Sequence, residues 1–150
     1  MKIKKYLEQS PVFAINAAYE AMIPQINKKL KKDDLNLLQG LVLTALFFED
    51  RKDITPSQLA DLFETSRGNM SHILSHLEYK GWIRRVVNGK DARQFQIELK
   101  AEGRKKAVSL IRFYDRLQSL FEKELGVAVC QKVVDGMKAM ASAYRNSTEV

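Results

Sequence analysis

The sequence predicts a mainly α fold with one small β ribbon, and three observations predict it. Apolar residues recur at three- and four-residue steps over most of the chain. Helix caps punctuate the intervals between those stretches. Two short strand-like runs near the middle flank an Asn-Gly turn signal.

In chain order, Ser10-Pro11 starts a helix that places Val12, Ile15, Tyr19, Met22, Ile26 and Leu30 on one stripe. Pro24 interrupts it, where a missing N–H should bend the backbone and shift pocket or dimer contacts. Asp33 or Asp34 starts the next helix, through Leu35, Leu38, Val42, Ala45 and Leu46. Thr55-Pro56-Ser57-Gln58 opens a third: a Thr cap precedes proline at the first helical position, and Gln three residues on closes a capping box. Leu59, Ala60, Leu62 and Phe63 supply its apolar face. After Glu64 and Thr65, Ser66 caps a fourth helix whose Met70, Ile73, Leu74 and Leu77 point inward. Its other face carries Arg67, Gly68, Asn69, Ser71, His72, Ser75 and His76, almost all small or polar.

Gly81 ends that helix, and residues 82–87 and 94–99 read as strands joined by Asn88-Gly89-Lys90-Asp91-Ala92-Arg93. The second run alternates polar and apolar residues, as an antiparallel strand with one wet face should. Beyond it, Ala107, Leu110, Tyr114, Leu117 and Phe121 step by three and four. After Gly126, so do Cys130, Val133, Met137, Met140 and Tyr144.

Two short helices around a tight turn, followed by a basic hairpin, form a winged helix-turn-helix, a device for reading duplex DNA. Ala60 sits where the two helices cross, and Met70 and Ile73 fall where the second must bury itself against the first. A recognition helix enters the major groove by its N-terminal half, which places Arg67, Asn69, Ser71 and His72 near base edges and phosphates. Gly68 lets backbone approach a phosphate, Ser66 caps the same end, and Ser75 and His76 continue the polar face. Arg84, Arg85, Lys90 and Arg93 load the hairpin with positive charge. From Thr65 to Arg93 six Lys or Arg stand against two acids, a local balance of +4. An ordinary helical hairpin whose polar face only meets water is the plain alternative.

Composition agrees. A chain of 150 residues with 45% apolar and 29% charged residues suits one folded domain with a sizeable core. A net charge of +7 favours an anionic partner, and clustering of the cations on a groove-reading motif favours nucleic acid over membrane. Lys28-Lys29-Leu30-Lys31-Lys32 reads as dipole complement and solvated surface. Met1-Lys2-Ile3-Lys4-Lys5 begins like a signal peptide, but Glu8, Gln9, Ser10 and Pro11 replace its apolar core. No segment is long enough to span a bilayer, and a lone cysteine permits no internal disulfide, so a reducing cytoplasm is the expected compartment.

The motif Leu59-Ala60, Ser66, Met70, Ser71, Leu77-Glu78, Lys80-Gly81, Arg85, Asp91-Ala92-Arg93 and Gly103 resembles the multiple-antibiotic-resistance-regulator (MarR) family of winged-helix transcription factors. The resemblance covers nearly the whole chain, since the family also places helices before and after this core. It implies that Asp91 orients a basic wing and Arg93 reaches the DNA backbone or minor groove. Asp91 as a simple turn cap is compatible with both. The resemblance also implies a small aromatic or anionic effector in a cleft between dimer helices and reader, which no residue identifies. Two further positions depart from the pattern. Glu64 stands where many helix-turn-helix units carry a left-handed glycine, so the turn takes another geometry or tolerates roughly 1 kcal/mol of strain. Lys100 replaces a capping Thr, and Arg104, Lys105 and Lys106 crowd cations at a helix's positive end, a cost that nearby phosphates would offset.

The first helix and the last two carry more apolar stripe than a small winged helix needs, so their spare faces should meet a second copy. Leu110, Tyr114, Leu117, Phe121, Met137 and Tyr144 are the expected dimerisation residues. An intramolecular helical bundle is the alternative. Two identical readers on a two-fold axis would bind a palindrome. Enzymatic chemistry finds no support. His72 and His76 have metal-ligand spacing but no third ligand, Cys130 lacks a flanking base, and no catalytic carboxylate pair stands out. Neither cofactor nor metal is expected. The sequence therefore reads as one domain over 1–150, with a winged helix-turn-helix core at about 33–100 and helical dimerisation regions at 1–32 and 101–150. The expected function is a homodimeric repressor on a pseudo-palindromic operator in double-stranded DNA. A low-specificity nucleoid-type or protein-docking winged helix is the other reading, and a small-molecule-binding helical protein a third.

Overall fold

Helix-forming stretches set the architecture. The computed structural model describes residues 2–49, 54–87 and 95–147. Its elements are α1 (Lys2–Gln9), α2 (Pro11–Leu30), a 3-10 turn (Lys31–Asp33), α3 (Leu37–Glu49), α4 (Pro56–Leu62), α5 (Arg67–Tyr79), β1 (Ile83–Val87), β2 (Phe95–Leu99), α6 (Ala101–Leu125) and α7 (Val127–Asn146). The fold is mainly α with a two-stranded antiparallel wing, as the sequence predicts. The chain divides into two compact units, Met1–Val108 and Ser109–Val150.

In the first unit, three helix ends use one device in which the residue after the cap turns left-handed and two amides reach back to free carbonyls. At Gly81 (φ 71°), Gly81 N–H donates to Glu78 O and Trp82 N–H to Leu77 O. Asp34 (φ 57°) and Glu64 (φ 48°) do the same with acids instead of glycine. Asp34 N–H donates to Lys31 O and Leu35 N–H to Leu30 O, with Leu30 and Leu35 both buried. Glu64 N–H donates to Asp61 O and Thr65 N–H to Ala60 O. Of the two outcomes open to Glu64, the chain takes the strained left-handed one.

The stop at Asp34 corrects the expected helix start at Asp33 or Asp34. Helix α3 begins at Leu37 because Asn36 and Gln39 close a capping box, Gln39 N–H donating to Asn36 Oδ1 and Asn36 N–H to Gln39 Oε1, both at 2.9 Å. The box expected at Thr55 and Gln58 is present. Helix α2 runs continuously through Pro24. Helix α1 was not expected from the sequence; it packs on α2, with Tyr6 and Phe13 meeting edge-on at 6.0 Å.

Leu59, Ala60, Met70, Leu74 and Leu77 are buried where α4 packs on α5. Leu62, expected on the same apolar face, lies 59% exposed at the end of α4. Strand β1 pairs with β2 in the register Ile83↔Leu99 through Val87↔Phe95. Arg85 and Ile97 face each other with amides pointing away from the ladder: Arg85 N–H donates to Glu78 Oε1 (2.9 Å), and Ile97 N–H to Ile54 O (3.0 Å). Alternation holds at Ile83 and Ile97, both buried, while Val87 and Phe95 at the outer end stay exposed. A Cβ at Gly103 would lie 2.1 Å from Trp82 O, so the start of α6 requires glycine there. Of the cations expected to cost stability at the start of α6, Lys105 and Lys106 meet carboxylates, Glu102 and Asp33, each at 2.7 Å. The Glu102 hydrogen bond and charge raise the Lys105 ammonium above its ordinary value.

In the second unit, the later turns of α6 and all of α7 bury little. Among the described residues there, Leu110 is the buried hydrophobic one, and Tyr114 is half-buried.

Candidate nucleic-acid interface

The start of α5 is built by local chemistry. Ser66 Oγ accepts the Asn69 N–H at 3.1 Å, as an N-cap should. Asn69 Nδ2 in turn donates to Thr65 Oγ1 at 2.8 Å, which orients the amide and leaves its Oδ1 free of any partner among the described residues. Ser66, Arg67, Gly68, Asn69, Ser71 and His72 are exposed on this end of the helix. Among the described residues nothing crowds Gly68: a Cβ there would meet only Ser66 Oγ, at 3.9 Å. Gly68 is exposed in the first turn of α5, so the open space beside it faces outward.

The C-terminal half of α5 is different, because its polar groups are engaged within the chain. Arg85 reaches across from β1. Its Nη1 donates to Glu78 Oε2 (3.1 Å), and its Nη2 to Ser71 O (3.1 Å) and Ser75 Oγ (3.0 Å). His76 Nε2 lies 2.7 Å from Asp34 O, and Lys80 Nζ 3.2 Å from Asp34 Oδ2. Lys80 and Lys106 sit over the Trp82 ring at 5.8 and 5.6 Å from its centre, and Asp33 neutralises Lys106. Arg84 is paired directly across the ladder with Glu98 (Nε to Oε2, 2.7 Å).

The strands therefore carry less free charge than the composition suggests. Arg84 and Arg85 are both neutralised by glutamates, one of them, Glu98, outside the window in which the charge was counted. The remaining wing residues Lys90, Asp91 and Arg93 lie outside the described residues, as does the turn at Asn88-Gly89. Among the expected dimerisation residues, Leu110 is buried within the chain, Tyr114 and Leu117 are half-buried, and Phe121, Met137 and Tyr144 are 38%, 43% and 67% exposed. Sequence reasoning missed the cluster of Asp33, Asp34, Lys80, Trp82 and Lys106. Its one legible signal was the buried pair Leu30 and Leu35, spaced as in a left-handed helix stop. Among the described residues no group of three or more His, Cys, Asp or Glu could hold a metal ion, and no helix is long and apolar enough to cross a membrane.

The same segment carries the likeness to known proteins. Residues 33–94 match the model of the MarR family. The transcriptional repressor MprA of Escherichia coli K12 is 32% identical over 77 residues, which is 51% of this chain and 44% of that protein. The HTH-type transcriptional regulator PrsX of Escherichia coli is 28% identical over 108 residues, 72% of this chain and 63% of that protein. The chain thus spans less than two thirds of the length of these curated relatives. In fold, it is similar to MepR of S. aureus solved in complex with DNA, with a TM-score of 0.81 at 21% identity over 89% of this chain and 98% of that one. The family match falls on α3, α4, α5 and β1, the segment that builds this site, and over these residues the chain is similar to the MarR family, while the likeness to MepR is one of fold.

Proposed function

We propose that the chain is a sequence-specific DNA-binding transcriptional regulator, a repressor that acts as a homodimer on a pseudo-palindromic operator, without catalytic activity and in the cytoplasm. The observation that carries this reading is the capped start of α5. It presents Arg67, Asn69, Ser71 and His72 outward around a glycine that no contact among the described residues explains. Backbone approach to phosphate accounts for Gly68, and the flanking donors suit base edges in a major groove. The naming of MprA as a repressor and the solution of MepR on DNA support it.

A second copy is supported by α7, which repeats apolar residues along a full stripe and has none buried. An aromatic or anionic effector has a candidate place in the open cleft of about 350 Å³ lined by Tyr19, Ile23, Asn27, Asn36, Leu37, Leu38 and Leu41. Selection of bound duplexes from a random DNA pool tests the reading: a sharp palindrome supports it, and broad enrichment would replace it with a low-specificity module. On the selected operator, Arg93→Ala should weaken operator and random DNA together and lower the salt slope by about one. Unchanged binding at low salt would remove Arg93 from the interface.

A further inference from the structure

We infer that Arg85, for all its position in a basic wing, is not a phosphate contact: it is a positioning residue that, with Glu78, fixes the angle between α5 and the wing and so sets operator preference. The inference rests on the reading of α5 as the DNA-reading helix.

Four hydrogen bonds carry it. Ser71, Ser75 and Glu78 lie on one stripe of α5, and Arg85 engages all three. Its two Nη groups donate to the Ser71 carbonyl, the Ser75 hydroxyl and one Glu78 oxygen at 3.0 to 3.1 Å. Its backbone N–H, turned away from β2, donates to the other Glu78 oxygen at 2.9 Å. One carboxylate thus holds both the main chain and the side chain of a single strand residue. The Arg85 and Glu78 side chains are 25% and 36% exposed, so the pair is partly withdrawn from water, where a forked, charge-assisted contact is stronger than on open surface. Only arginine has the planar fork that this arrangement uses, since a lysine is a point charge. The bonds span Ser71 to Glu78, the turns directly behind the exposed start of the helix. Releasing them would let the reading end swing relative to the wing.

The two roles of Arg85 predict opposite signs at Glu78. If Arg85 bound phosphate, Glu78→Gln would free the guanidinium and remove an acid near DNA, and binding would hold or tighten. As a positioning pair, Glu78→Gln lowers the preference for the selected operator over random duplex about tenfold, with the salt slope unchanged. Arg85→Gln does the same, and the double variant is no worse than the poorer single one by more than about twofold, because both remove one interaction. Arg85→Lys keeps the charge, and so the affinity for random duplex, yet loses the preference. In DNA-free protein, Glu78→Ala speeds amide exchange at Arg85 about tenfold, which reads the clamp without DNA.

All binding is measured where thermal unfolding shows each variant folded; should Arg85→Gln not fold, Glu78→Gln and Arg85→Lys still decide. Tighter or unchanged operator binding by Glu78→Gln, full rescue by Arg85→Lys, or unchanged Arg85 exchange in Glu78→Ala overturns the inference. A wild type with no operator preference at all would overturn the reader reading itself and the inference with it, whereas a wild type with clear preference and an unaffected Glu78→Gln overturns the inference alone.

Discussion

Helices α5 and α7 are written in the same pattern and end in opposite environments. Both repeat apolar residues at three- and four-residue steps. Met70, Ile73, Leu74 and Leu77 of α5 are all buried, whereas Val133, Met137 and Tyr144 of α7 are 46%, 43% and 67% exposed and no residue of α7 is buried. The difference lies in what the rest of the chain supplies. Helix α5 has α3, α4 and β1 to pack on, so the unit that holds it completes its core by itself. A stripe as apolar as that of α7, left in water, is an unfinished surface, and a second copy is the surface that would finish it.

Substitutions on the two sides of this comparison should separate folding from assembly. The largest effect is expected for Leu117→Asp, half-buried on α6: a charge placed in the shared helical region should split the dimer or unfold its helical end, and abolish operator binding with every residue of α5 intact. Sedimentation beside operator binding checks it, and a dimer that still binds DNA would move the interface elsewhere. Next comes a matched pair. Leu74→Ala should cost about 2 to 5 kcal/mol of folding stability in denaturant titrations, while Met137→Ala should leave the fold of a single chain within about 0.5 kcal/mol and weaken association instead. Equal losses in the two variants would erase the distinction between the helices.

Smaller effects belong to the reader itself. Asn69→Ala and His72→Ala should each cost roughly 1 to 3 kcal/mol of discrimination and change the selected operator more than nonspecific affinity. If both select the wild-type sequence with the same ranking of variants, the reading residues lie elsewhere. The smallest effect concerns Tyr114 in α6. Burial pushes its phenol from 10.0 up to about 12, and its buried hydroxyl has no hydrogen-bond partner among the described residues. The raised value means that the neutral phenol is favoured in the folded chain. Its contribution is therefore fully present below about pH 10 and lost as the pH climbs to about 12. Tyr114→Phe should flatten that alkaline limb of the stability profile and change stability at pH 7 by no more than about 1 kcal/mol. An alkaline limb identical to wild type would show that Tyr114 is not the group responsible.

What could be read from the sequence was local. The Thr55 and Ser66 caps, the glycine stop at Gly81 and the inward face of α5 each depend on residues within about one helical turn or one period of the pattern, and the structure has them as expected. What could not be read was the partner of each charge. Asp34 and His76 meet across 42 positions, and Asp33 and Lys106 across 73, so no window of sequence contains both members. Arg84 reads as a free cation because its partner Glu98 lies beyond the counted window, and Arg85 because Glu78, although inside that window, sits on α5 across the Gly81 stop, where no helical or strand spacing pairs the two. Asp34 and Glu64 adopt left-handed geometry without being glycine, which hid one helix stop and displaced the start of α3 by three or four residues. Leu62 followed the apolar pattern of α4 and still faces water, because periodicity names a face without showing that anything covers it.

On the proposed function, a unit that folds by itself around α5 is paired through helical faces that a single chain leaves uncovered. The stoichiometry of protein on the selected operator, determined by sedimentation with the full palindrome and with a single half-site, decides it. Two chains should sit on the full palindrome, bound about as a unit, with far weaker binding to the half-site. One chain per duplex, holding the half-site as tightly as the full palindrome, would contradict it.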